Sequence, residues 1–452
     1  MTECSRSGFT FAAHYSRCVA ASFEGGAMTS DAGGLLLRET DRRLNLLGRL
    51  AACFVDGRNR DLVKHPVAEM VAQRVYGLAL GYQDLNDHEQ LRKDPVMQVL
   101  AGSAEADKPL AGKSTLNRLE RGGAPDRYRK IVYRPEAMDQ LLVDVFLESF
   151  DAPPAEIVLD LDTTDVELHG RQEGRFFHGY YDEYCYLPLY IFCGDHLLCV
   201  RLRQANIDAS AGSLAEAERI VGQIRVRWPE TRIILRGDSG FCRDELMDWC
   251  ERQQGVHYVL GMARNERLRR MIAGSLTEAA IAYRQTLRPA RVFTEFQHAT
   301  TTGSWSRSRR VVAKAEHIEG KENPRYVVTS LPGEQWAAQY LYEELYCARG
   351  DMENRIKEQY QLFAGRVSTE TMRANQLRLY LSAMAYVLVN GLRRLGLKAT
   401  ELARAEAATI RTRLFKIGAL VQVSVRRVRL SMASSYPWQT LFAQVWAALL
   451  PA

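Results

Sequence analysis

The pattern of apolar and polar positions divides the chain into a mainly helical first part and a later part that mixes strands with helices. In the first 150 residues, apolar positions recur every three or four residues in HPVAEMVAQRVYGLALGY and PEAMDQLLVDVFLESF, which predicts two amphipathic helices. From residue 156 the apolar residues alternate or form short runs, and this pattern predicts strands over 156–162, 185–192 and 197–203.

Helix and strand patterns alternate in the next part of the chain. SLAEAERIVGQIRVRW and CRDELMDWCERQQG predict helices, and each is followed by a predicted strand, RIILRGD and HYVLGMA. Three antiparallel strands followed by this alternation predict an α/β fold. Residues from about 285 to 333 are again strand-like. After PGEQWAAQ (332–339) the chain is predicted to be helical to about Leu395, and VQVSVRRVRL predicts a strand near the C-terminus.

The first of the predicted strands carries two acids on one face. In EIVLDLDTTDVELHG the side chains alternate between the two faces, so Asp160 and Asp162 point to the same side. Buried like charges are unfavourable unless a cation or a hydrogen-bond donor compensates them. The pattern therefore indicates a site that supplies such compensation.

Two later segments carry the other candidate groups. Asp238 in IILRGDSGF lies where a strand ends and a helix begins, the position at which sites form in open α/β sheets. In YCARGDMENRIKEQY, Tyr346, Arg349, Glu353 and Lys357 are spaced by three, four and four residues and form one stripe on a helix. Alone, this stripe is more typical of a solvated salt-bridge ladder than of a functional site. Together with the aspartates it suits divalent-cation chemistry on phosphates.

Composition and charge narrow the class of protein. With 46% hydrophobic and 25% charged residues, the 452-residue chain has the composition of a soluble globular protein of several domains. No apolar run is long enough to span a bilayer and no signal peptide is evident, so we expect a cytoplasmic protein without membrane contact. Nine cysteines without a CxxC pair predict reduced thiols. The net charge of +6 equals the number of Arg and Lys residues in the acid-free segment 409–452, which favours a polyanionic partner over a solvated surface whose acidic partners lie elsewhere in the fold.

Three motifs, DLDTTD, LRGDSGF and YCARGDMEN, resemble those of the DDE transposases of bacterial insertion sequences. The third has the spacing of their Tyr–Arg–Glu signature. TSDAGGLLLRE, LALGYQDLNDHEQLRKDP, LAGKSTLNRLE and TIRTRLFKIGALVQVSVRRVRL further resemble insertion-sequence family 1380, so the likeness covers nearly the whole chain. One departure is Tyr360, which stands where the signature has a Lys seven residues after Glu353; Lys357 is the candidate substitute.

This resemblance implies a fold class and a site. The fold is an α/β fold with a ribonuclease H-like catalytic core interrupted by a β-strand insertion, a mainly helical N-terminal domain and a basic C-terminal segment. Asp162, Asp238 and Glu353 are the implied catalytic and metal-binding triad, because the acid directly before the Thr-Thr pair is the ligand in such enzymes. The implied cofactor is two Mg²⁺ ions, with Mn²⁺ as a substitute. The DNA-binding candidates are Tyr346, Arg349, Lys357, Trp305, Arg118, Arg121, Arg426 and Arg427. Trp305 is equally compatible with a structural role at a hairpin tip.

The implied division of the chain has five segments. These are a helical DNA-binding region at 1–150, the first part of the core at 151–284, the β-strand insertion at 285–335, the last part of the core with the Glu353 helix at 336–396, and the basic segment at 397–452. Whether the first or the last segment recognises DNA ends stays open.

The implied function is a transposase that binds the terminal inverted repeats of its element, cleaves the DNA ends and transfers them to target DNA. Its implied partner is double-stranded DNA, on which it forms a homodimer across paired ends, in the bacterial cytoplasm at the nucleoid. Two alternatives remain open. One is a ribonuclease H-like metal-dependent nuclease that cuts without joining. The other is an inactive transposase-derived DNA-binding protein.

Overall fold

The computed structural model describes residues 8–103, 108–121, 130–300 and 303–450. The chain divides into two compact units, which we call the terminal unit (1–120 and 384–452) and the sheet unit (121–383). The unit boundaries follow residues 120 and 383. The five functional segments named above stay a prediction.

The strands of the described residues are numbered in chain order. They are β1 Phe9–His14, β2 Arg17–Ala21, β3 Met28–Thr29, β4 Phe54–Asp56, β5 Ile131–Tyr133, β6 Glu156–Thr163, β7 Val166–Glu167, β8 Phe176–His178, β9 Glu183–Tyr186, β10 Leu189–Cys193, β11 His196–Arg201, β12 Arg232–Gly237, β13 Val256–Met262, β14 Ala290–His298, β15 Arg309–Ile318, β16 Lys321–Glu322, β17 Arg325–Thr329, β18 Ala419–Ser424 and β19 Arg427–Met432.

The α-helices of the same residues are numbered likewise. They are α1 Gly34–Leu44, α2 Leu46–Ala52, α3 Val67–Leu80, α4 His88–Leu91, α5 Pro95–Ala101, α6 Lys113–Glu120, α7 Pro135–Leu147, α8 Ser213–Arg227, α9 Asp244–Arg252, α10 Glu266–Met271, α11 Ala273–Thr286, α12 Ala338–Tyr340, α13 Gly350–Gln361, α14 Met372–Leu392, α15 Ala407–Ile410 and α16 Gln439–Leu449. Between α12 and α13 the chain forms a π-helix, Leu341–Tyr346, and a 3₁₀ turn, Cys347–Arg349.

A large mixed sheet organises the described part of the sheet unit. Its strand order is β11-β10-β6-β12-β13-β17-β15-β14, with β16 beside β15. The pairs β11–β10 and β10–β6 are antiparallel, whereas β6, β12 and β13 run parallel. This confirms the predicted α/β class. The strands predicted within 285–333 are present, and they extend this same sheet through antiparallel pairs.

Both faces of the sheet are covered. On one face, residues such as Leu159 and Leu235 pack in a core with α7, α8 and α9. On the other face, Ile234 and Val259 pack against the π-helix Leu341–Tyr346. Because side chains alternate along a strand, Asp160 and Asp162 lie on this second face, toward the π-helix.

Two predictions in the sheet unit need correction. The predicted strand 185–192 is two strands, β9 and β10, which belong to different sheets and are separated by Pro188. Proline has no amide hydrogen to donate to a strand ladder, so it interrupts the pairing. The helical stretch predicted to end at about Leu395 is interrupted between α13 and α14, where Phe363 has a positive φ of 69° that ends helical geometry.

Two further corrections concern the chain termini. Residues 8–21 are not helical but form the β1–β2 hairpin, in agreement with the alternation of Phe9 and Phe11. The single strand predicted near the C-terminus is a hairpin in which Ser424 pairs with Arg427 across a two-residue turn. The turn residues Val425 and Arg426 are not the Gly or Asn typical of such turns, so the sequence pattern runs through them unbroken.

The terminal unit joins its first and last stretches directly. Gly33 at the start of α1 donates its N–H to the Phe415 carbonyl at 3.2 Å. A Cβ at Gly33 would lie 1.7 Å from the Leu414 carbonyl oxygen, so only glycine permits this approach. Lys416 completes the junction by pairing with the buried carboxylate of Asp31 at 2.6 Å.

A buried polar network holds the helices of the terminal unit. Arg74 on α3 donates from Nε to Glu120 at 2.6 Å and from Nη1 to Nε2 of His88 at 3.0 Å. Burial, together with the charge of Arg74, lowers the pKa of His88 to about 3. The imidazole is therefore neutral at pH 7, and its Nε2 accepts the hydrogen bond.

Two predictions from composition are also tested by the structure. Within the described ranges, no helix combines the length and apolar character needed to cross a membrane. The described cysteines are free thiols, as predicted, while Cys4 lies outside the described residues.

Candidate functional site

The candidate site lies at the carboxyl ends of two parallel strands. β6 ends with Asp162 and Thr163, and Asp238 directly follows β12. The parallel register opposes Arg236 to Asp160 and Gly237 to Leu161, so Asp162 and Asp238 leave neighbouring strands at the same edge. Ligands bind at such edges in open α/β sheets.

Asp160, the inner acid of the pair on β6, is neutralised by a buried arginine. Arg236 donates from Nε and Nη2 to the two carboxylate oxygens of Asp160 at 2.5 and 2.7 Å. Its remaining Nη1 donates to the carbonyl of Leu345 in the π-helix. Asp160 and Arg236 are only 4% and 7% exposed, so this ion pair is well shielded from water. Arg236 thereby ties β6, β12 and the π-helix together.

Asp162, the outer acid, faces a second arginine. Arg349 Nη1 donates to Asp162 Oδ2 at 3.0 Å, and the amide of Thr163 donates to Oδ1 at 2.9 Å. Burial raises the pKa of Asp162 to about 6; Arg349 opposes this, and the carboxylates of Asp238 and Glu353 add to it. Asp162 therefore carries a charge that its surroundings compensate only in part.

Asp238 is oriented by its own turn, and Gly261 of the adjacent strand lies beside that turn and Tyr346. The amide of Gly240 donates to Asp238 Oδ1 at 2.8 Å. The adjacent strand β13 has Gly261 at this point, and a Cβ there would lie 2.5 Å from the Tyr346 hydroxyl and 3.2 Å from the Asp238 carbonyl carbon. The missing side chain of Gly261 thus lets Tyr346 approach the backbone of the Asp238 turn.

The Tyr–Arg–Glu stripe is on helical chain, but not on one regular helix. Tyr346 ends the π-helix, Arg349 ends the 3₁₀ turn and Glu353 lies in the first turn of α13. π-helical segments occur frequently at functional sites. Arg349 Nη2 reaches Glu353 at 3.4 Å, and the Glu353 side chain is 52% exposed.

Lys357 and Tyr360 lie further along α13. Lys357 lies one turn after Glu353 and is exposed. Its contact with a DNA phosphate stays a prediction. Tyr360 donates its hydroxyl to the Asp165 carbonyl, in the loop that follows Asp162. At the signature position normally held by Lys, the tyrosine therefore holds this loop to α13.

The carboxylates fit a divalent cation by chemistry but not by their present spacing. Aspartate and glutamate oxygens are the ligands that Mg²⁺ prefers. Yet no group of three or more His, Cys, Asp or Glu in the described ranges is arranged to hold a metal ion. The Arg349 guanidinium contacts both Asp162 and Glu353.

The other DNA-binding candidates lie on several elements. Trp305, in the loop between β14 and β15, is partly buried against the core and contacts His298 edge-to-face at 5.5 Å, which favours its structural alternative. Arg118 on α6 and Arg121 just after it are exposed. Arg426 and Arg427 are exposed on the β18–β19 hairpin.

Sequence reasoning missed two residues of this site, Arg236 and Gly261. Arg236 had a signal, because it is a charged residue inside the apolar strand RIILRG and lies two positions before Asp238. Gly261 had none, since its importance depends on Tyr346, which is distant in the sequence. Asp160, whose role the sequence left undefined, is the ion-pair partner of Arg236.

Comparisons with known proteins identify a family. A protein-family model described as transposase DDE domain group 1 matches residues 11–452. None of the curated proteins matches the sequence. A cryo-EM structure of the piggyBac transposase synaptic complex with hairpin DNA is 11% identical with a TM-score of 0.40, over 85% of this chain and 79% of that chain. A similarity this low supports no conclusion about fold or function.

Proposed function

This chain belongs to the transposase DDE domain group 1 family, and from that membership we propose that it binds the inverted repeats at the ends of its own element and catalyses their cleavage and strand transfer. Asp162, Asp238 and Glu353 are the proposed catalytic triad. The observation that carries the proposal is the arrangement of the three acids: Asp162 and Asp238 leave neighbouring strands at the same edge, and Arg349 contacts Asp162 at 3.0 Å and Glu353 at 3.4 Å.

The sheet supports a ribonuclease H-like core. Three antiparallel strands, β11, β10 and β6, are followed by two strands, β12 and β13, that run parallel to β6. This order puts Asp162 and Asp238 at one edge, and the helical chain that carries Glu353 packs on the same face. We further propose that the element is a bacterial insertion sequence of family 1380, from the motifs quoted above.

The residues of the site have different proposed roles in the reaction. Two Mg²⁺ ions held by the triad would stabilise the attacking and the leaving oxygen of a phosphodiester displacement. Arg349 now compensates Asp162 and Glu353, so it must release them before they hold a cation, and a DNA phosphate offers it another anionic partner. Tyr346 and exposed Lys357 flank Arg349 on the helical chain and are the proposed further DNA contacts. A homodimer on paired ends is proposed for the joining step.

The inactive DNA-binding alternative is favoured by one observation. Asp162, Asp238 and Glu353 do not form a metal-ligand group in the described residues, and Arg349 compensates two of them. A protein that keeps this arrangement on DNA would bind without cleaving. The nuclease alternative shares every feature of the site and differs only in lacking strand transfer.

Cleavage of a labelled duplex made from the DNA that flanks this gene tests the proposal. We expect nicking at the end with Mg²⁺ and none with chelator. Asp162→Ala, Asp238→Ala and Glu353→Ala should each lower the rate by at least about a thousandfold while leaving DNA binding intact, because each removes a ligand of the reacting centre. Glu319→Ala, at an exposed carboxylate of the same unit, is the matched control.

Each other outcome identifies a different error. Cleavage that survives Glu353→Ala would remove that residue from the triad and direct attention to Glu343, Glu344 and Asp351. Cleavage without strand transfer favours the nuclease. Binding of the ends without any cleavage favours the inactive protein.

A further inference from the structure

The six cations of the acid-free segment 409–452 fall into two groups. Three have partners within the terminal unit: Arg411, Arg413 and Lys416 contact Ala79, Glu401 and Asp31. These three are structural. They do not provide the free positive charge that the sequence indicates for a polyanionic partner.

The other three cations, Arg426, Arg427 and Arg429, lie on the β18–β19 hairpin. All three are exposed, and none of them makes an ion pair within the described ranges of the chain. Because unpaired charge on an exposed strand contributes little to stability, the fold by itself does not account for it.

The hairpin has two different faces. Residues opposite each other in an antiparallel pair point to the same side. Val421 and Leu430 form a row on the apolar face, which lines a cavity of about 500 Å³ with Phe442 and Trp446 of the terminal unit. Gln422 and Arg429 form a row on the opposite face, and Ser424 and Arg427 form the next row; all four are exposed. The polar face therefore points away from the unit's own core.

From this geometry we infer that the β18–β19 hairpin lies in the major groove of the DNA end and reads its bases with the polar face. The major groove is about 12 Å wide and admits a two-stranded ribbon. The exposed part of the strand, from Gln422 to the turn residue Val425, is about 10 Å long at roughly 3.4 Å per residue.

Three side chains of the hairpin have a defined task in this arrangement. Arginine donates two hydrogen bonds to guanine, and glutamine forms a pair of bonds with adenine, so Arg429 and Gln422 are suited to read adjacent base pairs. Arg426 at the turn contacts a phosphate and positions the ribbon. The inference rests on the proposed function and adds the recognition element, the groove and the base-reading residues.

Binding of the full-length protein in chelator tests the inference without any cleavage. Two labelled duplexes are compared across a salt series: the DNA that flanks the gene, and a scrambled duplex of equal composition. Arg429→Ala and Gln422→Ala should weaken binding to the flanking duplex about tenfold and leave the scrambled duplex nearly unchanged. Arg426→Ala should weaken both equally and lower the salt slope by about one. Arg42→Ala is the matched control, at an exposed arginine on α1 paired with Glu39 at 3.0 Å.

A change in the DNA locates the contact in the groove. Replacing guanine by 7-deazaguanine removes the N7 acceptor of the major groove. One such replacement should weaken the wild type about tenfold but have no effect on Arg429→Ala. Unchanged thermal unfolding of the variants excludes misfolding, since the replaced side chains are exposed.

The outcomes separate this inference from the function on which it rests. If the wild type binds both duplexes equally, end recognition itself fails. If the wild type discriminates and the hairpin variants do so equally well, only the hairpin inference is wrong. If Val428→Asp, on the apolar face, dissociates a dimer in the absence of DNA while the arginine variants bind normally, the hairpin is an interface with a second copy.

Discussion

At the scale of single residues, a glycine determines how closely the signature tyrosine approaches the site. Gly261 on β13 leaves room for the Tyr346 hydroxyl, which a Cβ would approach to 2.5 Å. Since Gly261 does not have a positive φ, the requirement is steric and not conformational. Burial raises the pKa of Tyr346, so its hydroxyl stays protonated at this contact at neutral pH.

We expect Gly261→Ala to lower the free energy of unfolding of the sheet unit by about 1–3 kcal/mol, because it overpacks the contact. Adding Tyr346→Phe should restore most of the loss by removing the oxygen. Urea unfolding of both single variants and the double variant measures this coupling. Gly274→Ala on α11, where a Cβ meets nothing within 4 Å, should cause no loss. Additive effects of the two substitutions would show that the hydroxyl is not the obstacle.

At the scale of elements, a buried ion pair aligns the two acidic strands with the π-helix. Asp160 on β6 and Arg236 on β12 satisfy each other, and Arg236 also holds the Leu345 carbonyl. Burial raises the pKa of Asp160, while the hydrogen bond and the charge of Arg236 oppose the shift. The pair is thus better suited to holding the elements of the proposed site in position than to adding stability.

We expect Asp160→Asn or Arg236→Met alone to lower the free energy of unfolding by about 3–5 kcal/mol, because each leaves a buried charge unpaired. The double variant Asp160→Leu with Arg236→Met should recover most of that stability. It should still cleave DNA ends poorly, since the Leu345 carbonyl has lost its donor. Urea unfolding and end cleavage are the two measurements.

A surface pair on the same strands is the control. Glu156 and Arg232 are also opposite in the register, at 3.3 Å, but their side chains are 32% and 43% exposed. Their removal should change stability by no more than about 1 kcal/mol. A double variant of Asp160 and Arg236 that cleaves normally would contradict the positioning role.

At the scale of the whole molecule, the two units should respond to pH in opposite directions. His88 in the terminal unit has a pKa lowered to about 3, so the unfolded state binds more protons below pH 6.5 and stability rises with pH between these values. Asp162 in the sheet unit has a pKa raised to about 6, so in the folded state its carboxyl stays protonated to a higher pH than in the unfolded state. Its contribution to stability therefore falls as the pH rises from about 4 to 6.

Hydrogen exchange in chelator, followed by mass spectrometry at pH 5 and 7, separates the two effects. From pH 5 to 7, α4 peptides should gain about 1–2 kcal/mol of protection in the wild type relative to His88→Gln. Over the same range, β6 peptides should lose a similar amount relative to Asp162→Asn. Comparing proteins at the same pH removes the intrinsic pH dependence of exchange. A difference between wild type and variant that does not change with pH would contradict the corresponding pKa shift.

Local patterns were sufficient for much of the fold. The helices α3 and α7 and the strands β6 and β12 follow from the spacing of their own apolar residues, because burying one face requires a fixed period. The α/β class follows from the order of these elements. Motif spacing likewise singled out Asp162, Asp238 and the Tyr–Arg–Glu stripe, although their catalytic roles stay a proposal.

Tertiary structure alone decided the features that depend on residues far apart in the chain. The pairing of Asp160 with Arg236, the contact of Tyr346 with Gly261 and the division of the C-terminal cations into structural and free ones each require the folded chain. The hairpin turn at Val425 and Arg426 also lacks a local signal, because its residues are not those a tight turn favours. The sequence by itself determined which segments become helix or strand and which acids are candidates for catalysis. Only packing decided the partner of each charge, because a buried charge is satisfied by whichever group the fold places beside it.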